Sequence, residues 1–318
     1  MRRAAVVDIG TNSVLYLLAE QAADGRVVGC WQKAESPRLG ENLDVTGRIA
    51  EKPLERTIAV LKQFRGMAES HRPDRLVAVG THLFRKADNR KEVIRRLMQE
   101  TGIAVEVLTE REEAQQSYRG AVYGRILDEP VVVVDIGGGS TEAALGVNGR
   151  LQEAESLPLG AVSLTERTIR HDPLSPEETT RIDASADAAV TERLAPLLRR
   201  GKQLVAVGGT VTTLAALNLG MTRYDPAVVD GTVLGEEDVL HYFHVLTAAS
   251  MNERKAMLVF DPDRADIIAA GTALFKAVMR AGSFRRVLVS DRGLRFGIAL
   301  REFQTEKNSE NLLERESS

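Results

Sequence analysis

Two short stretches, almost half a chain apart, carry the same arrangement of chemically useful residues. Val6-Val7-Asp8-Ile9-Gly10-Thr11-Asn12-Ser13 and Val133-Val134-Asp135-Ile136-Gly137-Gly138-Gly139-Ser140 each run from β-branched residues to an aspartate, then to glycine and small polar residues. Apolar runs follow both, Val14 to Ala19 and Ala143 to Val147. Each stretch therefore reads as a strand, a tight turn and a returning strand. Glycine lets the backbone approach a ligand closely, and consecutive N–H groups form an anion cradle. An aspartate at the strand end beside such a turn can hold a hydrated Mg²⁺ that also touches phosphate. A single Asp-x-Gly turn is an ordinary hairpin. Two near copies, the second extended through Thr141 and Glu142, suggest a phosphate chain held between two cradles.

A third glycine turn, Gly208-Gly209-Thr210, follows an apolar run and enters a helix expected over Val211 to Leu219. It reads either as a helix N-terminus that receives phosphate or as a plain strand-to-helix turn capped by Thr210. Glu110, Glu112 and Glu113 open another helix. A carboxylate there could act as a general base, but spacing does not choose among the three, and a solvated acidic helix start has the same pattern. His241 and His244 share a helix face but lack further ligands, so they read as ordinary helix residues. His171-Asp172 is followed at once by Pro173 and reads as a loop. Arg90, Lys91, Arg95 and Arg96 form a solvated helix face or a patch that attracts a polyanion.

The elements that must position these residues alternate. Strands are expected at Leu76 to Val79, Ile103 to Leu108, Leu204 to Val207 and Val287 to Ser290. Helices are expected at Asn89 to Glu100, Glu110 to Arg119, from Thr210, and at Ala265 to Met279. Such alternation predicts α/β sheets covered by helices. The length of 318 residues suits two domains, set at 1–126 and 127–302 with a polar tail at 303–318, the linker lying around Arg125 to Pro130. Aromatics are scarce at 4%, so the cores must be aliphatic. Cys30 is the single cysteine, which excludes an internal disulfide and suits a cytoplasmic location. The apolar stretch after Met1-Arg2-Arg3 meets Asp8 too soon for a signal peptide. Leu204 to Thr222 is uncharged over nearly a bilayer's length, but its glycines and threonines favour strand, turn and helix. A net charge of −3 argues against general nucleic-acid binding and leaves a polyanion possible only where positive groups concentrate.

The chain resembles the exopolyphosphatase and guanosine-pentaphosphate phosphohydrolase family over residues 4 to 302. The resemblance rests on Val7 through Ser13, Arg38-Leu39-Gly40-Glu41, Gly80-Thr81 with Arg85, Glu112-Glu113-Ala114 and Asp135 through Glu142. Gly208 through Leu214, Tyr224-Asp225-Pro226, Arg264-Ala265-Asp266 and Ser290-Asp291 with Gly293-Leu294-Arg295 complete it. It implies the α/β, two-domain actin-like fold of actin, Hsp70 and sugar kinases (ribonuclease H-like), with an interdomain cleft. It implies Glu113 as the residue that activates the attacking water, and Asp8, Asp135 and Glu142 as carboxylates for Mg²⁺ or Mn²⁺. Phosphate contacts would fall on Gly10, Thr11, Asn12, Ser13, Arg85, Gly137, Gly138, Gly139, Ser140, Thr141, Gly208, Gly209 and Thr210.

The expected activity is release of terminal phosphate from inorganic polyphosphate, with guanosine pentaphosphate as the alternative substrate. A kinase of the same fold ranks lower because the resemblance is to the phosphatase branch and includes Glu113, and a non-catalytic sensor because all four carboxylates are present. No nucleic-acid or membrane partner is expected, and a homodimer is admitted. Leu15 stands where relatives often carry a basic residue, and Phe296 where many carry an acidic one. The chain does not contain the long C-terminal extension of larger members, so digestion of long chains is expected to release intermediates.

Overall fold

Five β-branched or small apolar residues between Ala4 and Ile9, interrupted only by Asp8, build a strand that can be covered on both faces. This strand, β1 (Arg2–Ile9), is the middle of a five-stranded sheet with β2 (Val14–Gln21), β3 (Val27–Glu35), β4 (Arg75–Gly80) and β5 (Val105–Val107). The order is β3-β2-β1-β4-β5, with β1, β2 and β3 antiparallel and β4 and β5 parallel to β1. In the computed structural model, which describes residues 1–304, this sheet belongs to a first compact unit of Met1–Thr109 and 294–304. The helix Glu51–His71 contributes Leu54, Ile58, Leu61, Phe64 and Ala68, spaced three and four apart, to that unit's core.

The second unit, Glu110–Gly293, has its own core. Its strands are β6 (Val131–Ile136), β7 (Thr141–Val147), β8 (Arg150–Leu157), β9 (Gln203–Val207), β10 (Val233–Gly235) and β11 (Arg286–Val289). Their order is β10-β11-β9-β6-β7-β8. From its far edge, β8-β7-β6-β9-β11 repeats the first sheet strand for strand, with β10 added. This is the ribonuclease H-like order carried twice, as in the actin-like fold.

The repetition runs deeper than the two hairpins. Leu76-Val77-Ala78-Val79-Gly80-Thr81 ends β4 as Leu204-Val205-Ala206-Val207-Gly208-Gly209-Thr210 ends β9. Both strands lie parallel beside the hairpin's first strand. After the fifth strand of each set the chain enters a helix of the other unit. Glu110–Val122, which follows β5, packs on β6, β7, β8 and β9. Residues 294–304, which follow β11, are helical and belong to the first unit, where Arg301 pairs with Glu106 at 2.7 Å and Arg295 Nη1 donates to Tyr16 O at 3.4 Å.

The expected elements appear with shifted ends. The division between units falls at Thr109/Glu110, ahead of the Gly124 to Pro130 stretch where composition placed a linker. That stretch is a loop inside the second unit, and Arg125 Nη2 donates to Asp230 Oδ1 at 2.6 Å. The second unit also ends earlier than residue 302, because the helix after Gly293 packs elsewhere. The uncharged run at Leu204 divides into β9 and the helix Gly209–Asn218, and among the described residues no helix is long and apolar enough to cross a membrane. From residue 305 the polar tail lies outside the described residues.

Candidate functional site

The second hairpin concentrates the polar chemistry. Gly137 N donates to Ser140 O at 3.0 Å and closes the turn, and a methyl on Gly137 would stand 3.3 Å from the same oxygen. Asp135 and Glu142 are direct cross-strand partners, so both carboxylates rise from one face of β6 and β7. The turn is backed by the start of the helix Ala161–Thr168. Ala161 N donates to Gly137 O at 2.9 Å and Val162 N to Gly138 O at 2.8 Å. Gly160 has to be glycine for this approach, since a methyl would sit 2.5 Å from Gly137 O. Ser140, Thr141 and Glu142 are buried.

The first hairpin has the same closure, with Gly10 N donating to Ser13 O at 2.9 Å. Its backing is the loop Arg38-Leu39-Gly40, where Arg38 N donates to Asn12 O and Gly40 N to Thr11 O, both at 2.9 Å. Leu39-Gly40 thus does for this turn what Leu159-Gly160 does for the other. Asp8 pairs across the sheet with Leu15, so this hairpin has one carboxylate where the other has two. Thr11, Asn12 and Ser13 are buried, and Asn12 Nδ2 donates to Ser13 Oγ at 3.0 Å. Arg85, on the short helix His82–Lys86 after β4, donates from Nη1 to Leu108 O at 2.9 Å. It therefore stands at the C-terminal ends of β4 and β5, in the same unit as Asp8 at the end of β1. Ligands of parallel sheets gather at such ends.

The third glycine turn joins the second hairpin. Gly208 has φ +91°, and a methyl there would lie 2.7 Å from Asp135 Oδ1. Two things about this turn differ from expectation. The helix spans Gly209–Asn218 with Gly208 at its cap position and no side-chain capping bond. Thr210 does not cap it; it lies within the first turn, buried, and packs against Gly271. Arg264 lies over Gly209, where any side chain would run into its guanidinium, and its Nε donates to Asp261 Oδ2 at 2.7 Å. A fixed cation is thereby set beside the positive end of a helix, an arrangement that favours an anion. No role for Arg264 follows from the sequence, although it lies in one of the stretches that carry the resemblance.

Burial separates the three acidic candidates. Glu113 is 7% exposed, whereas Glu110 and Glu112 are exposed. Ala114, Tyr118 and Ala121 of the same helix pack against β6 and β9, which turns Glu113 and Ser117 to the adjoining face. From that face Ser117 Oγ donates to Asp135 Oδ2 at 2.8 Å. Ser156 of β8, opposite Glu142, donates from Oγ to Glu142 Oε1 at 3.0 Å. Neither serine is singled out by the sequence pattern. Ser117 could have been found as the residue one turn after Glu113, and Ser156 only with the β7–β8 register in hand.

Among the described residues no three His, Cys, Asp or Glu side chains converge as a metal cage. The Asp135–Glu142 pair nevertheless fits Mg²⁺, which keeps most of its waters and takes one or two carboxylates plus substrate phosphate. His171 Nδ1 contacts Glu178 Oε1 at 3.1 Å, and Asp172 pairs at 3.0 Å with Arg254, a buried guanidinium whose pKa burial lowers. His241 and His244 meet the rings of Tyr242 and Phe243 edge-on. Arg96 pairs with Glu51 and Glu100, while Arg90, Lys91 and Arg95 are exposed. A groove of about 310 Å³ beside β8 is lined by Glu110, Glu153 and Glu155 with Arg111 and Arg193, a charge balance unsuited to a polyanion.

A duplicated glycine-hairpin scaffold with one carboxylate pair is the arrangement of a phosphate-handling enzyme, and the comparisons agree. Residues 23–306 match the model of the Ppx/GppA phosphatase family. The chain is 33% identical to exopolyphosphatase 2 of Mycobacterium tuberculosis, over 94% of this chain and 98% of that protein. It is 29% identical to exopolyphosphatase 1 of Mycobacterium bovis, over 99% and 92%. Among solved structures, the Aquifex aeolicus Ppx/GppA protein matches at 33% identity and TM-score 0.80, covering 96% of this chain and 98% of that one. An exopolyphosphatase from Cytophaga hutchinsonii matches at 26% and TM-score 0.87, covering 96% and 98%. The chain belongs to the Ppx/GppA phosphatase family.

Proposed function

We propose that the protein is an exopolyphosphatase, a hydrolase that releases terminal orthophosphate from inorganic polyphosphate. The observation that carries this reading is the Asp135–Glu142 pair, standing beside the Gly137–Ser140 turn and against Gly208 at a helix N-terminus. Backbone N–H groups of the glycine turns bind the phosphate oxygens, and Arg85 adds a planar charged donor. Glu113 accepts the proton of the attacking water, and its burial keeps the carboxylate directed rather than solvated. Asp135 and Glu142 are the carboxylates for Mg²⁺, with Mn²⁺ as a substitute. The ion supplies neutralisation of charge on the transferred phosphoryl group. Little else is required, since phosphoryl transfer to water depends chiefly on positioning and electrostatics.

Guanosine pentaphosphate is the competing substrate, a cytoplasmic location goes with this reading, and a homodimer is compatible with it. The deciding assay compares phosphate release from short polyphosphate, long polyphosphate and guanosine pentaphosphate, with Mg²⁺ and with excess chelator. Release from polyphosphate that stops with chelator and returns with Mg²⁺ is expected. Full activity in chelator, or release from the nucleotide alone, overturns the reading.

A further inference from the structure

We propose that Ser117 and Ser156 are positioning residues that aim the two carboxylates of the second hairpin at the divalent cation. This rests on the reading that Asp135 and Glu142 are the carboxylates that bind it. Opposed residues of like charge on one sheet face repel, and each side chain has rotamers that swing it away from its neighbour. A cation needs them held together before it arrives. The two hydroxyls supply that restraint from different elements. Ser117 reaches Asp135 Oδ2 from the helix Glu110–Val122, and Ser156 reaches Glu142 Oε1 from β8.

Both serines are buried, at 2% and 7% exposure, so water competes poorly for these bonds. The arrangement also has a direction. With Oδ2 taken by Ser117, Oδ1 is the oxygen turned to Gly208, the glycine of the third turn. One oxygen of the aspartate is thus anchored in the scaffold and the other is presented at the phosphate-binding turn. Ser117 lies one helical turn after Glu113, so its bond also ties the base-bearing helix to β6. Hydroxyls that orient metal-binding carboxylates without touching the ion usually matter by about 10- to 100-fold in metal affinity.

The test is direct Mn²⁺ binding to the full chain without substrate, read from the electron paramagnetic resonance signal of free Mn²⁺. Ser117→Ala and Ser156→Ala should each raise the Kd about 10- to 100-fold. Ser117→Thr, which keeps the hydroxyl, should return it to within a few-fold of wild type. In turnover, the half-saturating metal concentration should rise while kcat at saturating metal changes less. Asp135→Asn serves as the control for the underlying reading and should abolish binding. If Ser117→Ala and Ser156→Ala bind Mn²⁺ as wild type does while Asp135→Asn does not, the positioning role falls and the carboxylate reading stands. If Asp135→Asn also binds normally, the carboxylate reading itself falls. Ser156→Ala keeps the test open should Ser117→Ala fail to fold.

Discussion

The two units carry the same hairpin in different company. In the first, the residue across from Asp8 is Leu15; in the second, the residue across from Asp135 is Glu142. Behind Leu15 the third strand offers Ala34, whereas behind Glu142 it offers Ser156, whose hydroxyl donates to the carboxylate. Both turns close with the same glycine-to-serine hydrogen bond. Repetition of a scaffold therefore does not require repetition of its chemistry. The proposed function assigns the carboxylate pair to the second copy, and the first copy has a single carboxylate at the matching place.

The largest expected effect sets that division directly. Glu113→Gln should lower kcat about a hundredfold or more with little change in KM, because it removes the proposed proton acceptor and keeps the side chain's shape. Arg85→Ala, in the first unit, should act mainly on KM, by roughly tenfold, as expected for loss of one charge-assisted contact. Steady-state kinetics on short polyphosphate decides it. Near-wild-type kcat for Glu113→Gln, or a kcat collapse confined to Arg85→Ala, would break the comparison.

A smaller effect concerns how each turn is backed. Gly160→Ala drives a methyl into backbone atoms of Gly137 and Gly138, which cannot move without opening the turn. Gly40→Ala meets chiefly the methyl of Thr11. Gly160→Ala should therefore cost about 1–3 kcal/mol of stability by denaturant titration, and Gly40→Ala less. Thr11→Ser should recover most of the Gly40→Ala loss. Equal penalties without recovery would mean the two backings are alike.

The smallest effect is one of pH and belongs to the second unit alone. Burial works against the Glu178 carboxylate, but hydrogen bonds from Ser175 N, His171 and Arg170 N outweigh it and hold its pKa at about 2, below the ordinary 4.5. A carboxyl lowered on folding contributes stability that is full above its unfolded pKa and lost as pH falls through the folded one. The stability of wild type relative to Glu178→Gln should be constant above pH 4.5 and decline toward pH 2. A difference unchanged over that window would remove the carboxylate's role at the start of the helix Pro176–Arg193.

Much of this plan was legible beforehand, where local pattern and tertiary role coincide. Both hairpins, β4, β9 and the helix carrying Glu113 announce themselves through β-branched runs, glycines and apolar spacing. The helix Glu51–His71 is written as plainly, with Leu54, Ile58, Leu61, Phe64 and Ala68 marking its buried face. The match between Leu76 to Thr81 and Leu204 to Thr210 was likewise open to view. Other features depend on register and partnering, which no linear pattern carries. Ser156 matters because it falls opposite Glu142, and Arg264 because its guanidinium covers Gly209. The boundary at Thr109 has no linear signal, because Glu110–Val122 is an ordinary amphipathic helix and only its packing on β6 to β9 reveals which unit owns it.

That ownership has a consequence for how the molecule is made. The helix over 294–304 belongs to the first unit, yet a ribosome reaches it only after the whole of the second unit has been synthesised. The nascent first unit must wait with its sheet formed and one covering helix missing, a state that exposes apolar surface to neighbours and chaperones. The second unit is continuous in sequence and can close as soon as β11 emerges. Folding should thus finish in the reverse order of translation, with the N-terminal unit sealed last by residues near the far end of the described chain.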